Sequence, residues 1–399
     1  MSGSLGARRA TPAVLLVIAA VMVALIVLPT GAGTGPADGG ISLGGLSRAG
    51  LWIVAWGTAA VLVAATAGGL KVEPRALVIA AVATALVLVR MPVVVGGVLL
   101  LAASTVPRLS PGSATAGWAR TLVVGSAAGF GTAAAVVAAG RHGDDLLAVV
   151  LVLGFLATLG AVPFGWHLVH WLEEAPAAAG ALVAAVLLPA MVTALFAAEP
   201  ALAQVRGTQR AGFLLGVFGG ATAIAGALYS TGARDWRELA LRTAPGEVGL
   251  ALVGVAAFDI RGLQAAALTL AVLAVTRPVL VFAEALGPRR GAGLVMTALA
   301  LVASAGLPPT MGFAARQLVL SAAVRVHPLV AVLAVAGVLL EITALAVVLR
   351  RRLAQPGSET PPPRRLPAAL LAGATALALV SGGVFPGVLL RFVFRLGAG

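Results

Sequence analysis

The sequence predicts an all-α fold: a polytopic integral membrane protein with roughly thirteen or fourteen transmembrane helices, at about 20 residues per span plus short loops. Three observations carry this expectation. The 399 residues are 60% apolar and 10% charged, whereas ordinary soluble domains run near ~25% charged. Mean hydropathy is +1.06. Apolar runs of spanning length recur along the chain, and 50 glycines with abundant alanine suit close helix–helix packing.

The net charge of +13 is almost entirely arginine, with Lys71 the sole lysine. In a soluble protein such a balance would point to nucleic acid. Here the arginines sit mostly at helix ends, so topology and anionic lipid headgroups account for them, and no nucleic-acid partner is expected. The chain has no cysteine, which excludes disulfides, iron–sulfur ligation and thiolate metal sites. No loop is long enough to hold a soluble domain. Residues 12–29 are long enough to span and further spans follow, so a removable signal peptide is not expected.

In order, the expected spans are 12–29, after Arg8 and Arg9, and 50–70. Lys71, Glu73 and Arg75 mark an interface before the run 76–107, which Arg90 and Pro92 interrupt; Arg108, Pro111 and Arg120 mark the next edge. Residues 121–140 span again, then a polar turn from Arg141 to Asp145. Residues 146–171 begin as a span but contain Pro163 and lead into the polar, aromatic stretch Trp166 to Glu174. Spans at 177–198 and 211–231 follow, then an interfacial segment from Arg234 to Glu238. A short helix is expected at 247–258 and a longer one at 262–286. Residues 329–349 span, Arg350 to Pro367 is a Pro-rich loop, and 368–384 is the last span before a tail with Arg391 and Arg395.

The stretch Ser304-Ala-Gly-Leu-Pro-Pro-Thr-Met-Gly-Phe-Ala-Ala-Arg316 interrupts an apolar segment, 291–305 leading in and 311–324 leading out. Pro308 and Pro309 remove two backbone donors and disfavour helix before them. In hydrocarbon such a break persists only where protein or a water-filled cavity satisfies the freed carbonyls. Arg316 at that depth needs a partner or a cavity. Pro163 interrupts a segment in the other half, and paired interruptions of this kind point to a transport site between repeats.

Two motifs occur together: Leu159-Gly-Ala-Val-Pro-Phe164 followed by Ala175-Pro176, and Ala305-Gly-Leu-Pro-Pro-Thr-Met-Gly-Phe313. Over roughly residues 120–350 this pair resembles the antiporter-like subunits shared by respiratory complex I, Mrp-type cation/proton antiporters and membrane-bound hydrogenases. The resemblance implies two inverted repeats, each with a broken helix, here marked by Pro163 and by Pro308, Pro309, Thr310 and Gly312. It divides the chain into N-terminal helices without motif (1–117), a first antiporter-like half (118–231), a second (232–350), and a loop, last helix and basic tail (351–399).

This sequence departs from the family pattern at its titratable positions. The lysine of the first broken helix falls on Thr158 and the following histidine on Gly165, with His167 and His170 one turn on. A second lysine falls at Leu188 or Pro189, and the acidic partner has no counterpart in 91–107. In the second half the family lysines fall on Arg316 and Arg277. A buried lysine can release its proton near neutral pH, whereas arginine cannot. Any proton carrier must therefore be Glu or His, helped by water.

Glu341, in Leu339-Leu-Glu-Ile-Thr-Ala-Leu345, is either a carrier or the counter-ion of Arg316. Glu247 follows Pro245-Gly246 and is either a helix N-terminal carboxylate at the interface or a proton-path group. Glu284 lies seven residues after Arg277, so both lie on one helical face, and it serves an ion pair or a relay. His167, His170, Glu173 and Glu174 form an interfacial segment beside Trp166 and Trp171, a relay, or a metal cluster. No resident metal or cofactor is expected, and Arg234 to Arg242 is expected to meet headgroups or a partner subunit.

What the resemblance implies for function is a multi-pass cell-membrane subunit of an NADH–quinone-oxidoreductase-like, hydrogenase-like or Mrp-like complex. It would take part in proton or Na⁺ translocation beside other membrane subunits, without catalysis of its own. The lost lysines equally fit a structural subunit that scaffolds such a membrane arm, and a stand-alone transporter is the third reading.

Overall fold

The computed structural model describes residues 43–70, 72–73, 76–88, 98–99, 124–133, 145–164, 166–203, 208–288, 291–354, 365–388 and 390. The expected span at 12–29, Lys71, Arg75, Arg90, Pro92, the edge from Arg108 to Arg120, Arg141, residues 355–364 of the Pro-rich loop, and the tail residues Arg391 and Arg395 lie outside them.

The described chain is helical throughout. Its elements are α1 (Leu43–Ala67), α2 (Leu77–Leu88), α3 (Asp145–Leu159), α4 (Trp166–Glu174), α5 (Ala177–Leu182) running through a π-turn (Val183–Leu187) into α6 (Leu188–Ala203), and α7 (Thr208–Ser230). Then come α8 (Trp236–Val255), α9 (Ile260–Val281), a single turn α10 (Ala283–Leu286), α11 (Gly291–Ser304), α12 (Met311–Val326), α13 (Pro328–Ala354) and α14 (Arg365–Val384). Residues 124–133 are helical as well. Among the described residues six helices are long and apolar enough to cross a membrane, and α2, α11 and 149–159 are shorter apolar helices.

Two expectations for the second half are corrected. Pro245 does not end a helix: α8 runs straight through it, and Glu247 lies mid-helix and buried. The freed backbone is tolerated because the neighbouring helix packs at contact distance, a Cβ on Gly226 falling 2.7 Å from the Gly246 nitrogen. Helix α8 instead begins at Asp235, whose carboxylate accepts from the Glu238 amide at 2.7 Å. The expected helix over 262–286 stops at Val281, and Phe282 separates it from α10. Glu284 therefore does not share a helix face with Arg277.

The two interruptions have the same build. In the first, Gly160 (φ +68°) ends α3; its amide donates to Ala157 and that of Ala161 to Leu156. In the second, Gly306 (φ +70°) ends α11; its amide donates to Ala303 and that of Leu307 to Val302. Both are Schellman caps requiring a left-handed residue, the conformation glycine adopts without steric cost. Three residues after each glycine stands a proline in a cis peptide bond, Val162–Pro163 and Pro308–Pro309.

The broken helices run in opposite directions. Helix α4 leads to Ala175, whose carbonyl accepts from Arg237 at the start of α8. The second broken helix starts from that same face, after α9 and the Glu284–Arg352 ion pair. It ends at the other face, where Arg325 pairs with Asp259, the N-cap of α9. Opposed directions are what an inverted repeat requires.

Helix α12 is set against α11 at Gly312, where a Cβ would lie 1.8 Å from the Ala303 carbonyl oxygen. Backbone cannot give way as a side-chain end can. Gly312→Ala is therefore expected to cost about 1–3 kcal/mol or more, read as a lowered melting temperature of the detergent-solubilised protein.

Candidate functional site

Four charged side chains meet where the second broken helix crosses its neighbours. Glu247 comes from α8, Arg277 from α9, Arg316 from α12 and Glu341 from α13. Their relative exposures are 1%, 0%, 6% and 4%, so bulk water does not screen them. Glu247 Oε1 lies 3.3 Å from Arg277 Nη2 and 3.0 Å from Arg316 Nη2. Arg316 Nη2 lies 2.6 Å from Glu341 Oε2. The order is Arg277–Glu247–Arg316–Glu341, alternating in sign, two cations against two anions with a sum of zero. Burial of charge is tolerated on these terms, each ion paired with its opposite.

The helix break supplies a further partner. In an unbroken helix the Ser304 carbonyl would accept from the amide of residue 308, which here is a proline without one. Arg316 Nη2 fills that vacancy, donating to Ser304 O at 3.0 Å. The Ser304 hydroxyl accepts from Arg277 Nη1 at 3.4 Å. Ser304 is fully buried and bridges both arginines. Gly306 makes room for this arrangement, since a Cβ there would fall 2.5 Å from Arg316 Cγ. The Thr310 hydroxyl donates to Leu307 O at 2.6 Å and closes the turn.

All of the contacts made by Arg316 converge on Nη2, while Nη1 has no hydrogen-bond partner. The guanidinium acts here much as an ammonium would. Glu341 is asymmetric in the same way: Oε2 is held by Arg316, and Oε1 is buried without a partner. An unpaired carboxylate oxygen beside a fixed cation is a place where a proton can be added.

The other candidates stand apart from this quartet. Glu284 pairs with Arg352 at a membrane face. His170 is exposed and 3.3 Å from Glu174, while Glu173 turns to Arg242 at 2.5 Å. His170, Glu173 and Glu174 therefore do not converge on one point, and the His167 side chain lies outside the described residues. Arg242 also approaches Glu238 at 3.3 Å and lies over the Tyr229 ring at 4.9 Å. Arg237 and Arg242 thus tie α8 to α4 and to Ala175 just after it, within the chain.

Thr158 donates to its own helix at Gly154 O, 2.8 Å. Leu188 and Pro189 are buried in an apolar environment. Pro163 lies in the first break, where the Val162 amide donates to Thr222 Oγ1 at 2.9 Å. Among the described residues up to 203, the buried polar side chains are all threonines: Thr58, Thr158 and Thr193. Each donates to a carbonyl of its own helix.

Ser304 was not legible as a site residue from residue type alone, since serine carries no charge. Its position four residues before Pro308 is the signal that could have found it.

Residues 134–290 match the family model described as NADH:quinone oxidoreductase/Mrp antiporter, TM. Three solved structures share the fold over nearly the whole chain. A chain of respiratory complex I from Thermus thermophilus with bound NADH is 20% identical at a TM-score of 0.78, with 97% of this chain and 92% of that chain covered. One from the Mrp complex of Dietzia sp. DQ12-45-1b is 17% identical at 0.75, with 97% and 92% covered. One from the membrane-bound sulfane sulfur reductase, an archaeal respiratory membrane complex, is 15% identical at 0.80, with 99% and 92% covered. Comparison with curated proteins gave no match. Residues 134–290 thus match that family, and the described chain shares its fold with membrane subunits of these three complexes.

Proposed function

We propose that the chain is a membrane subunit of a redox-driven or Mrp-like multi-subunit complex in the cell (plasma) membrane. In this reading it takes part in proton translocation through its second half. The observation that carries this is the buried, alternating quartet Arg277–Glu247–Arg316–Glu341 at the second break. The arginines hold fixed charge, because a guanidinium keeps its proton. Exchange then falls to Glu341, through Oε1. Glu247 is the less free carboxylate, with one oxygen shared by both cations.

The same geometry favours a proton over Na⁺. Hard cations are held by several oxygens, and the cation positions among these carboxylates are already filled by guanidiniums. Proton carriers positioned for transfer contribute about 10²–10⁴-fold to the steps they serve. Glu341→Gln is therefore expected to lower proton translocation by the assembled complex by about tenfold or more. Subunit content should stay unchanged, because a carrier at this position is neutral whenever it is loaded and Arg316 keeps Glu247 as its counter-ion. Undiminished translocation in reconstituted vesicles would remove the carrier role.

A second reading, a subunit that scaffolds the membrane arm without conducting, is favoured by the first half, where the described buried polar side chains are threonines and Ser230 and none is charged. The same Glu341→Gln measurement separates the two readings, since a scaffold loses nothing by it.

A further inference from the structure

A cavity of about 610 Å³ opens at the Asp259 face, where the start of α7 meets two interhelical turns. The start of α7 contributes Arg210 and Phe213, the turn between α8 and α9 contributes Phe258, and the turn between α12 and α13 contributes Arg325 and His327. Backbone contact holds these segments together: a Cβ on Gly212 would fall 2.6 Å from the Ala256 carbonyl oxygen. Phe258 sits in the left-handed region at φ +45°, alone in this among the described non-glycine residues. That conformation costs energy and persists only where the surroundings enforce it. Phe213 and Val326 pack on the apolar cluster that holds Val319 and Val330, so the base of the cavity is apolar and its rim cationic.

The polar groups on the rim are donors. Asp259 fixes Arg325, accepting from Nε at 2.9 Å and from Nη2 at 3.2 Å, while Nη1 donates to Ser321 O at 3.1 Å. A guanidinium carries five N–H groups, so two of those on Arg325 remain. His327 Nδ1 accepts from the Leu329 amide at 3.1 Å and so caps α13. With Nδ1 an acceptor, the neutral ring carries its proton on Nε2. Phe213 steadies the ring edge-on, with 5.0 Å between centroids. The two lining guanidiniums less the charge of Asp259 leave a sum of +1. That balance suits a monoanion with several acceptor oxygens, as a phosphodiester is; a phosphate monoester carries about −1.5 to −2 at neutral pH.

Apolar surface begins beside this rim. Val324, Leu329 and Val332 are 66%, 44% and 65% exposed, and α13 is long and apolar enough to span from Pro328. Exposed valine and leucine within a turn or two of exposed arginine and histidine mark the boundary of hydrocarbon and headgroup, where the phosphates of a bilayer lie. We infer that the cavity binds the phosphodiester of an anionic phospholipid. Arg210, Arg325 and His327 donate to the phosphate oxygens, and the acyl chains lie along Val324, Leu329 and Val332. The headgroup thereby ties the ends of α7, α12 and α13 together, whether or not the subunit conducts.

The test uses the assembled complex in detergent with a phosphatidylglycerol that carries a diazirine in one acyl chain. After irradiation the subunit is digested and its cross-linked peptides are read by mass. Adducts are expected on residues 324–332. Unlabelled dioctanoyl phosphatidylglycerol should suppress them at about tenfold lower concentration than dioctanoyl phosphatidylcholine, the factor that one hydrogen bond to a charged group carries. Inorganic phosphate should leave them unchanged. Arg210→Gln combined with His327→Asp, which keeps a cap on α13, should lower the adduct yield by about tenfold or more. Arg351→Gln, at the opposite face beside Thr231, should leave it as in wild type.

Equal suppression by the two lipids would overturn the site by showing an ordinary lipid-facing groove. Suppression by inorganic phosphate would overturn it in favour of a site for free phosphate. Absence of adducts on residues 324–332, or an undiminished yield in the double variant, would overturn it as well. The competition series is run on the wild-type complex, so it decides even where the double variant fails to assemble. Cross-linking is read without proton movement. Its failure therefore leaves the translocation reading standing, and undiminished translocation in Glu341→Gln leaves the lipid site standing.

Discussion

Glu247→Gln is expected to destabilise the folded subunit by about 3–5 kcal/mol, the cost of leaving a buried charge without its partner. Glu247 Oε1 is the one acceptor that touches both Arg277 and Arg316. Neutralising it leaves two guanidiniums facing each other at low exposure, with only Glu341 and Ser304 to offset them. The amide can still accept a hydrogen bond, but it returns none of the charge. Purified complex should contain less of this subunit and melt at a lower temperature. A variant with wild-type content and melting would show that the quartet does not hold the fold together.

Arg316 supplies the second large effect, and the choice of replacement decides its size. Arg316→Met leaves Glu247 short of one cation, Glu341 without any, and the Ser304 carbonyl unfilled, again about 3–5 kcal/mol by the same reasoning. Arg316→Lys is expected to cost no more than about 1 kcal/mol, the loss of roughly one packed group. The difference follows from geometry: the three contacts of Arg316 all meet at Nη2, and an ammonium carries three donors at one point. Thermal melting of the two variants side by side checks this. Equal destabilisation would mean that the planar fork of the guanidinium matters after all.

Much of this architecture was legible before any coordinates. Apolar runs of spanning length gave the class, and Pro163 and Pro308–Pro309 marked both breaks, because proline acts on the backbone wherever it stands. Arg277, Arg316 and Glu341 stood out because an ionisable group inside an apolar run is costly unless paired. The misreadings share a cause. Glu247 was open to reading as a helix-start residue because Pro245-Gly246 looks like a boundary in an isolated helix; packing against Gly226 carries α8 through it. Glu284 was aligned with Arg277 by helical period, a rule that fails once α9 stops at Val281. The pairing of Arg237 and Arg242 with α4 joins residues more than sixty positions apart, which no local pattern encodes.

The inverted repeat was legible in its breaks but not in its charges. Both breaks keep the glycine cap and the cis proline. Only the second adds fixed cations and two carboxylates, while the first holds Thr158. The backbone of the break is therefore common to both halves, while among the described residues buried charge is confined to the second.

In the proposed cycle Glu341 takes up and releases the proton while its arginine neighbour stays charged. Infrared difference spectroscopy of the assembled complex, recorded between resting and driven states, tests it most directly. A carboxylic-acid carbonyl band is expected that appears with protonation and is absent from Glu341→Gln. A difference spectrum with the same carbonyl band in wild type and Glu341→Gln would contradict it.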